Sequence, residues 1–82
     1  MMEPEQVKRL IEAGLEGSVA EVSGDGQHFQ AVVICPAFEG KPLLARHRLV
    51  NEAVREQMDS GALHALSLTR LMTPAEWDQR ET

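Results

Sequence analysis

The chain has no tyrosine, one tryptophan and two phenylalanines among its 82 residues. A core so short of aromatic rings must be aliphatic, and at this size its stability is expected to be modest. A single cysteine, Cys35, excludes an internal disulfide and a zinc site built from the chain's own thiolates. A lone thiol of this kind is more often a small buried hydrophobe than a reactive group. No apolar run approaches the ~20 residues needed to cross a bilayer. The acidic opening Met1-Met2-Glu3-Pro4-Glu5-Gln6 lacks the apolar segment of a signal peptide. Basic residues are outnumbered 8 to 13, giving a formal net charge of −5, which as a whole opposes binding to nucleic acid or anionic membranes. There is no phosphate loop, and no Ser/His/Asp order that a fold of this size would assemble. The expectation is one cytoplasmic domain over residues 1–82, ordered over roughly 4–79, that is not an enzyme and has no small-molecule substrate.

What is present is organised around the stretch from Phe38 to Met58. Leu49, Val50, Ala53, Val54 and Met58 recur at helical spacing and predict a buried face. Arg48, Glu52, Arg55 and Glu56 take the opposite, solvated face. Gly40 and Pro42 mark a turn and a helix start, with a break expected near Asn51 and an end at Asp59-Ser60-Gly61. Upstream, Pro4, Val7, Leu10, Ile11 and Leu15 predict an amphipathic helix ending at Gly14 or Gly17. Its polar residues Glu5, Lys8, Arg9, Glu12 and Glu16 read as solvent exposed.

Ser18–Val22 and His28–Cys35 read as two strands joined by Ser23-Gly24-Asp25-Gly26, where Asp-Gly is a strong hairpin signal. The second strand is apolar on both faces toward its end, as a central strand is, and Pro36 stops it. His64–Thr69 is a third strand with His64, Leu66 and Leu68 on one face. Thr73-Pro74-Ala75-Glu76 is a capping box opening a short helix that carries Trp77 toward the core. The order α-β-β-α(α)-β-α predicts an α/β (α+β) domain with a three-stranded mixed sheet. A right-handed helical crossover lays strand three parallel to strand two.

This topology brings His28 and His64, which open those two strands, to the same end of the sheet. Cys35 lies seven residues further along, about 23 Å away at ~3.3 Å per residue, and does not belong to the same site. Each histidine also has a plain structural reading: His64 as an edge residue bonded to a carbonyl, His28 as a solvent-facing strand residue. Asp25 near His28 reads as a hydrogen-bonded pair.

Phe38-x-Gly40, Arg46-His47-Arg48-x-Val50, His64-Ala65-Leu66-Ser67-Leu68 and Thr73-Pro74-Ala75-Glu76-Trp77 together resemble the BolA family. The segment Ser23–Phe29 leans toward its IbaG/YrbA-like branch. The resemblance implies a fold related to KH type II and a heterodimer with a monothiol glutaredoxin. It further implies a bridging 2Fe–2S cluster held by the glutaredoxin cysteine, a glutathione thiolate and two groups from this chain, with no cofactor when the chain is alone. It gives His64 as one ligand. The second is usually a Cys or His of the hairpin loop, but here that loop, Gly24-Asp25-Gly26-Gln27, has neither. Asp25 stands about where a thiol is expected, and His28 is the nearest substitute. Mixed thiolate and histidine ligation has a precedent in Rieske centres.

The alternative is a KH-like DNA- or RNA-binding regulator, of the kind tied to stress response and transcription. Its surface would be Lys41, Arg46, His47 and Arg48. Gly40-Lys41-Pro42-Leu43 lacks the second glycine of the nucleic-acid-binding loop. In either reading Arg46 and Arg48 are placed on the exposed side of the helix as docking groups.

Overall fold

The computed structural model describes residues 2–80. Its order is α1 (Pro4–Gly14), β1 (Val19–Gly24), β2 (His28–Ile34), a 3₁₀ turn (Pro36–Phe38), α2 (Leu43–Ala53), α3 (Arg55–Ser60), β3 (Ala65–Met72) and α4 (Pro74–Gln79). The sheet order is β1-β2-β3, with β1 antiparallel and β3 parallel to the central β2, as expected.

The alternation of β2 explains the layering. Phe29, Ala31 and Val33 point to one face and are buried, while His28 and Gln30 on the other face are exposed. The helices cover the first face. Val7, Ile11 and Leu15 of the α1 segment, Ala20, Phe38, Val50, Val54, Leu63 and Leu71 complete one aliphatic core around Phe29 and Phe38. Cys35 is fully buried among them, and its thiol faces the Glu16 carbonyl at 3.8 Å. Removing these apolar surfaces from water is the main stabilising term.

Several sequence expectations are corrected. Pro42 sits just ahead of α2, which begins at Leu43, and the helical break falls at Val54 instead of Asn51. Gly61 ends α3 with φ +83°, a left-handed conformation suited to glycine. Met58 is 39% exposed, because the break at Val54 turns the helix face that Met58 would have shared with Val50. Lys8 and Glu12 are half-buried, not solvated. Lys8 Nζ bonds Glu12 at 2.6 Å and the Ala20 carbonyl at 2.8 Å, while the Ala20 N–H donates to Glu12 at 2.9 Å. The pair therefore satisfies the backbone N–H and carbonyl of Ala20 on edge strand β1, groups that would otherwise invite pairing with another chain. The Lys8 and Ala20 hydrogen bonds hold the Glu12 carboxyl below its usual range.

The third strand begins at Ala65, one residue after the expected start at His64, and runs further than expected, to Met72. A bulge at Thr69 interrupts the register, with Ala31 opposite Leu68 and Val32 opposite Arg70. The inward side chains accordingly switch from Leu66 and Leu68 to Leu71. The Thr69 hydroxyl bonds the Ala31 carbonyl at 3.1 Å across the bulge.

Candidate functional site

The β2–β3 register places the histidines. His28 is opposite Ala65, and the Ala65 N–H donates to the Gln27 carbonyl at 3.2 Å. His64, the residue before β3, therefore lies beside the hairpin end of β2, diagonal to His28. Both histidines are exposed. Among the described residues no hydrogen bond engages either ring. The sheet end expected to carry both does so. Cys35 is at the opposite end, where its N–H donates to the Met72 carbonyl at 2.9 Å.

The hairpin loop is built by Asp25. One carboxylate oxygen accepts from the backbone N–H groups of Gln27 at 3.0 Å and His28 at 2.9 Å. This is an Asx turn, a local substitute for a backbone turn. Those two bonds, His28 first, hold the Asp25 carboxyl below its ordinary range. The expected Asp25–His28 pair is thus made to the His28 backbone and not to its imidazole, so the ring keeps both nitrogens. Gly24 is required at the hairpin's start: a Cβ there would lie 2.4 Å from the His28 carbonyl and 2.7 Å from the Phe29 ring.

The basic turn divides. Arg46 is not on the exposed side, since only 13% of its side chain is accessible. Its guanidinium donates to the Leu71 carbonyl at 2.8 Å, to the Lys41 carbonyl at 2.9 Å and, bidentately, to Glu76 at 2.7 and 3.2 Å. It also lies over the Phe38 ring, 5.7 Å from the centroid. Glu76 at the same time closes the predicted capping box with Thr73. The Arg46 bonds, with the Thr73 N–H, bring the Glu76 pKa down to about 2, and the carboxylate in turn raises that of Arg46. This fork joins α2 to α4 and was not foreseen; a bidentate arginine suits such a planar junction. Lys41 and Arg48 remain exposed and His47 is half-buried. Arg48 shares a surface depression with Glu52, Arg55 and Asp59, so its surroundings carry both signs. Trp77 is half-buried and stands outside the core, with Arg80 stacked 3.4 Å over its ring.

The BolA-like protein family matches this chain over residues 7–76. The chain belongs to that family. It is 40% identical to Arabidopsis thaliana protein BOLA2 over 94% of this chain and 85% of that protein. It is 30% identical to the Escherichia coli acid stress protein IbaG, over 93% of this chain and 89% of that protein. The solved structure of a BolA homologue from Coxiella burnetii superposes with a TM-score of 0.88 at 46% identity, covering 96% of this chain and all of the other. Some BolA-like relatives are longer: the chain spans 43% of the mouse BolA-like protein 1. Among the described residues, no three His, Cys, Asp or Glu side chains converge as a metal-binding group, and no helix is long and apolar enough to cross a membrane.

Proposed function

We propose that this BolA-like protein acts in iron–sulfur handling or sensing by supplying histidine ligands to a 2Fe–2S cluster shared with a monothiol glutaredoxin and glutathione. One observation carries the reading: His28 opens β2 and His64 immediately precedes the parallel β3 at one exposed sheet end, and among the described residues no hydrogen bond engages either ring. The donor set fits. Two neutral imidazoles complete a cluster whose other two ligands are thiolates, and imidazole in place of thiolate alters charge and reduction potential. Two histidines alone do not make a stable site, so the partner must bring the sulfur ligands. The chain's own part is to hold the rings in place. The Asx turn and Gly24 fix the hairpin behind His28, and the parallel ladder sets where His64 leaves the sheet. The protein does no chemistry by itself in this reading.

The test is reconstitution with a monothiol glutaredoxin, iron, sulfide and glutathione, followed by visible absorption and circular dichroism. The expected result is a spectrum distinct from that of the glutaredoxin alone, lost in His64→Ala and altered in His28→Ala. A spectrum that never departs from glutaredoxin alone, or that survives His64→Ala unchanged, would sink the proposal.

A further inference from the structure

The helices cover one face of the sheet and leave the other largely open, and the register fixes how that open face is laid out. Val19, Ile34 and Met72 form one row across the three strands, and Glu21, Val32 and Arg70 form the next. The first row is apolar and only partly buried, with Val19 52% exposed. In the second, Glu21 and Arg70 stand on either side of Val32, two strand spacings or about 10 Å apart. They are the only formal charges among the outward strand residues. Both are exposed, and among the described residues no ion pair engages either. The relief of the face is as lopsided as its charge. Trp77 stands beside Val32 and Arg70 on the β3 side. On the β1 side lies a depression of about 240 Å³ whose lining includes Glu21, Gln30 and Val32.

We propose that this face is the docking surface for a second copy of the chain. Two sheets pack face to face about 10 Å apart with their strands roughly aligned. A two-fold axis along β2 then exchanges the two sides, so that Glu21 of each copy meets Arg70 of the other and Val32 and Ile34 meet their own counterparts. Val19 falls opposite Met72, and each Trp77 enters the other copy's depression. A two-fold axis across the strands at Val32 fails, because it sets Glu21 on Glu21 and Arg70 on Arg70. Self-complementarity of this kind is what an isologous contact requires. The face is small, so the contact belongs to the weak, transient class. Nucleic acid fits less well, because Glu21 repels phosphate beside the depression and one side of the single indole is already stacked by Arg80 at 3.4 Å. The contact is centred on Val32 and Ile34 and does not depend on a cluster at the histidine end.

The test is sedimentation equilibrium of the chain from about 10 µM to about 1 mM, with ¹H–¹⁵N spectra recorded along the same series. The expected result is an average mass rising toward twice that of the chain, with concentration-dependent shifts at the Val32 amide and the Trp77 indole N–H. Glu21→Arg and Arg70→Glu should each weaken the dimer about tenfold or more, since each sets like charges opposite one another. The double variant exchanges the two signs and should restore association. Unchanged Val7 and Val50 amide shifts show that each variant is folded. The proposal is overturned by a single species of chain mass throughout, by a dimer that neither single change weakens, or by a double variant no tighter than the singles. It is also overturned if single-stranded oligothymidine or a monothiol glutaredoxin shifts the Val32 amide while protein concentration does not.

Discussion

Gly14 closes α1 where it crosses α2, and the closeness of that crossing gives a sharp test of the packing. A Cβ built on Gly14 would lie 2.6 Å from the Cβ of Ala53 and 3.2 Å from its Cα. Carbon atoms in contact sit ~3.5–4.0 Å apart, so Gly14→Ala must push the two helices apart by about 1 Å where they touch. Overpacking of this kind costs about 1–3 kcal/mol. Alanine returns less than about 1 kcal/mol in helix propensity, since Gly14 is in the last turn. The net expectation is a loss of about 1–2 kcal/mol, or about 4–8 °C of Tm per kcal/mol in a domain of this size. The assay is thermal and urea unfolding of Gly14→Ala, Ala53→Gly and the double variant. Removing the Ala53 Cβ removes the closer contact and leaves the 3.2 Å one, so the two changes should couple by about 1 kcal/mol. A Gly14→Ala protein as stable as wild type, or the two changes adding without coupling, would refute this account of the α1–α2 contact.

Three further outcomes are expected. Glu76 has a folded pKa of about 2 against an ordinary 4.5, so its contribution is fully present above about pH 4.5 and is lost as pH falls toward 2. Urea melts of wild type and Glu76→Gln should therefore differ at pH 7 and converge near pH 2, and a gap constant with pH would contradict the Arg46 fork. Glu12→Ala strips the acceptor from the Ala20 N–H and should cost about 1 kcal/mol; hydrogen exchange at the Ala20 amide should quicken more than at Val33 on the central strand. Cys35 is fully buried, so Ellman's reagent should modify it only at the rate of unfolding, and fast labelling of native protein would show the site to be open.

The parts of the fold legible in the sequence were those in which a side chain acts on its own neighbourhood. The Thr73–Glu76 capping box, the Asp25-Gly26 hairpin and the alternation of β2 each announce themselves within a few residues. Periodicity failed where the chain broke its own period. The bulge at Thr69 moves the inward positions of β3 from Leu66 and Leu68 to Leu71, and the break at Val54 brings Met58 out to solvent. No composition signal marks either one. Lys8 and Glu12 stood at helix positions that pattern alone assigns to water; the edge of β1 claims them, and that edge is known only once the sheet order is.

Arg46 shows the same limit at the candidate site. In the run Arg46-His47-Arg48, in a sequence short of cations, it reads as surface. Its partners are the Leu71 carbonyl, 25 residues away, and Glu76, 30 residues away, and a bond across that separation leaves no trace in local spacing. Its engagement weakens the nucleic-acid reading more than net charge does, because it takes the best-placed guanidinium out of the basic turn. It also bears on the opposite face of the molecule. By holding Glu76, Arg46 fixes the first turn of α4, and α4 carries Trp77 and leads to Arg80. Breaking the fork should therefore loosen α4, while His28 and His64, set by the hairpin and the β2–β3 ladder, keep their places. Arg46→Gln should lower the urea unfolding midpoint while the cluster spectrum with glutaredoxin persists.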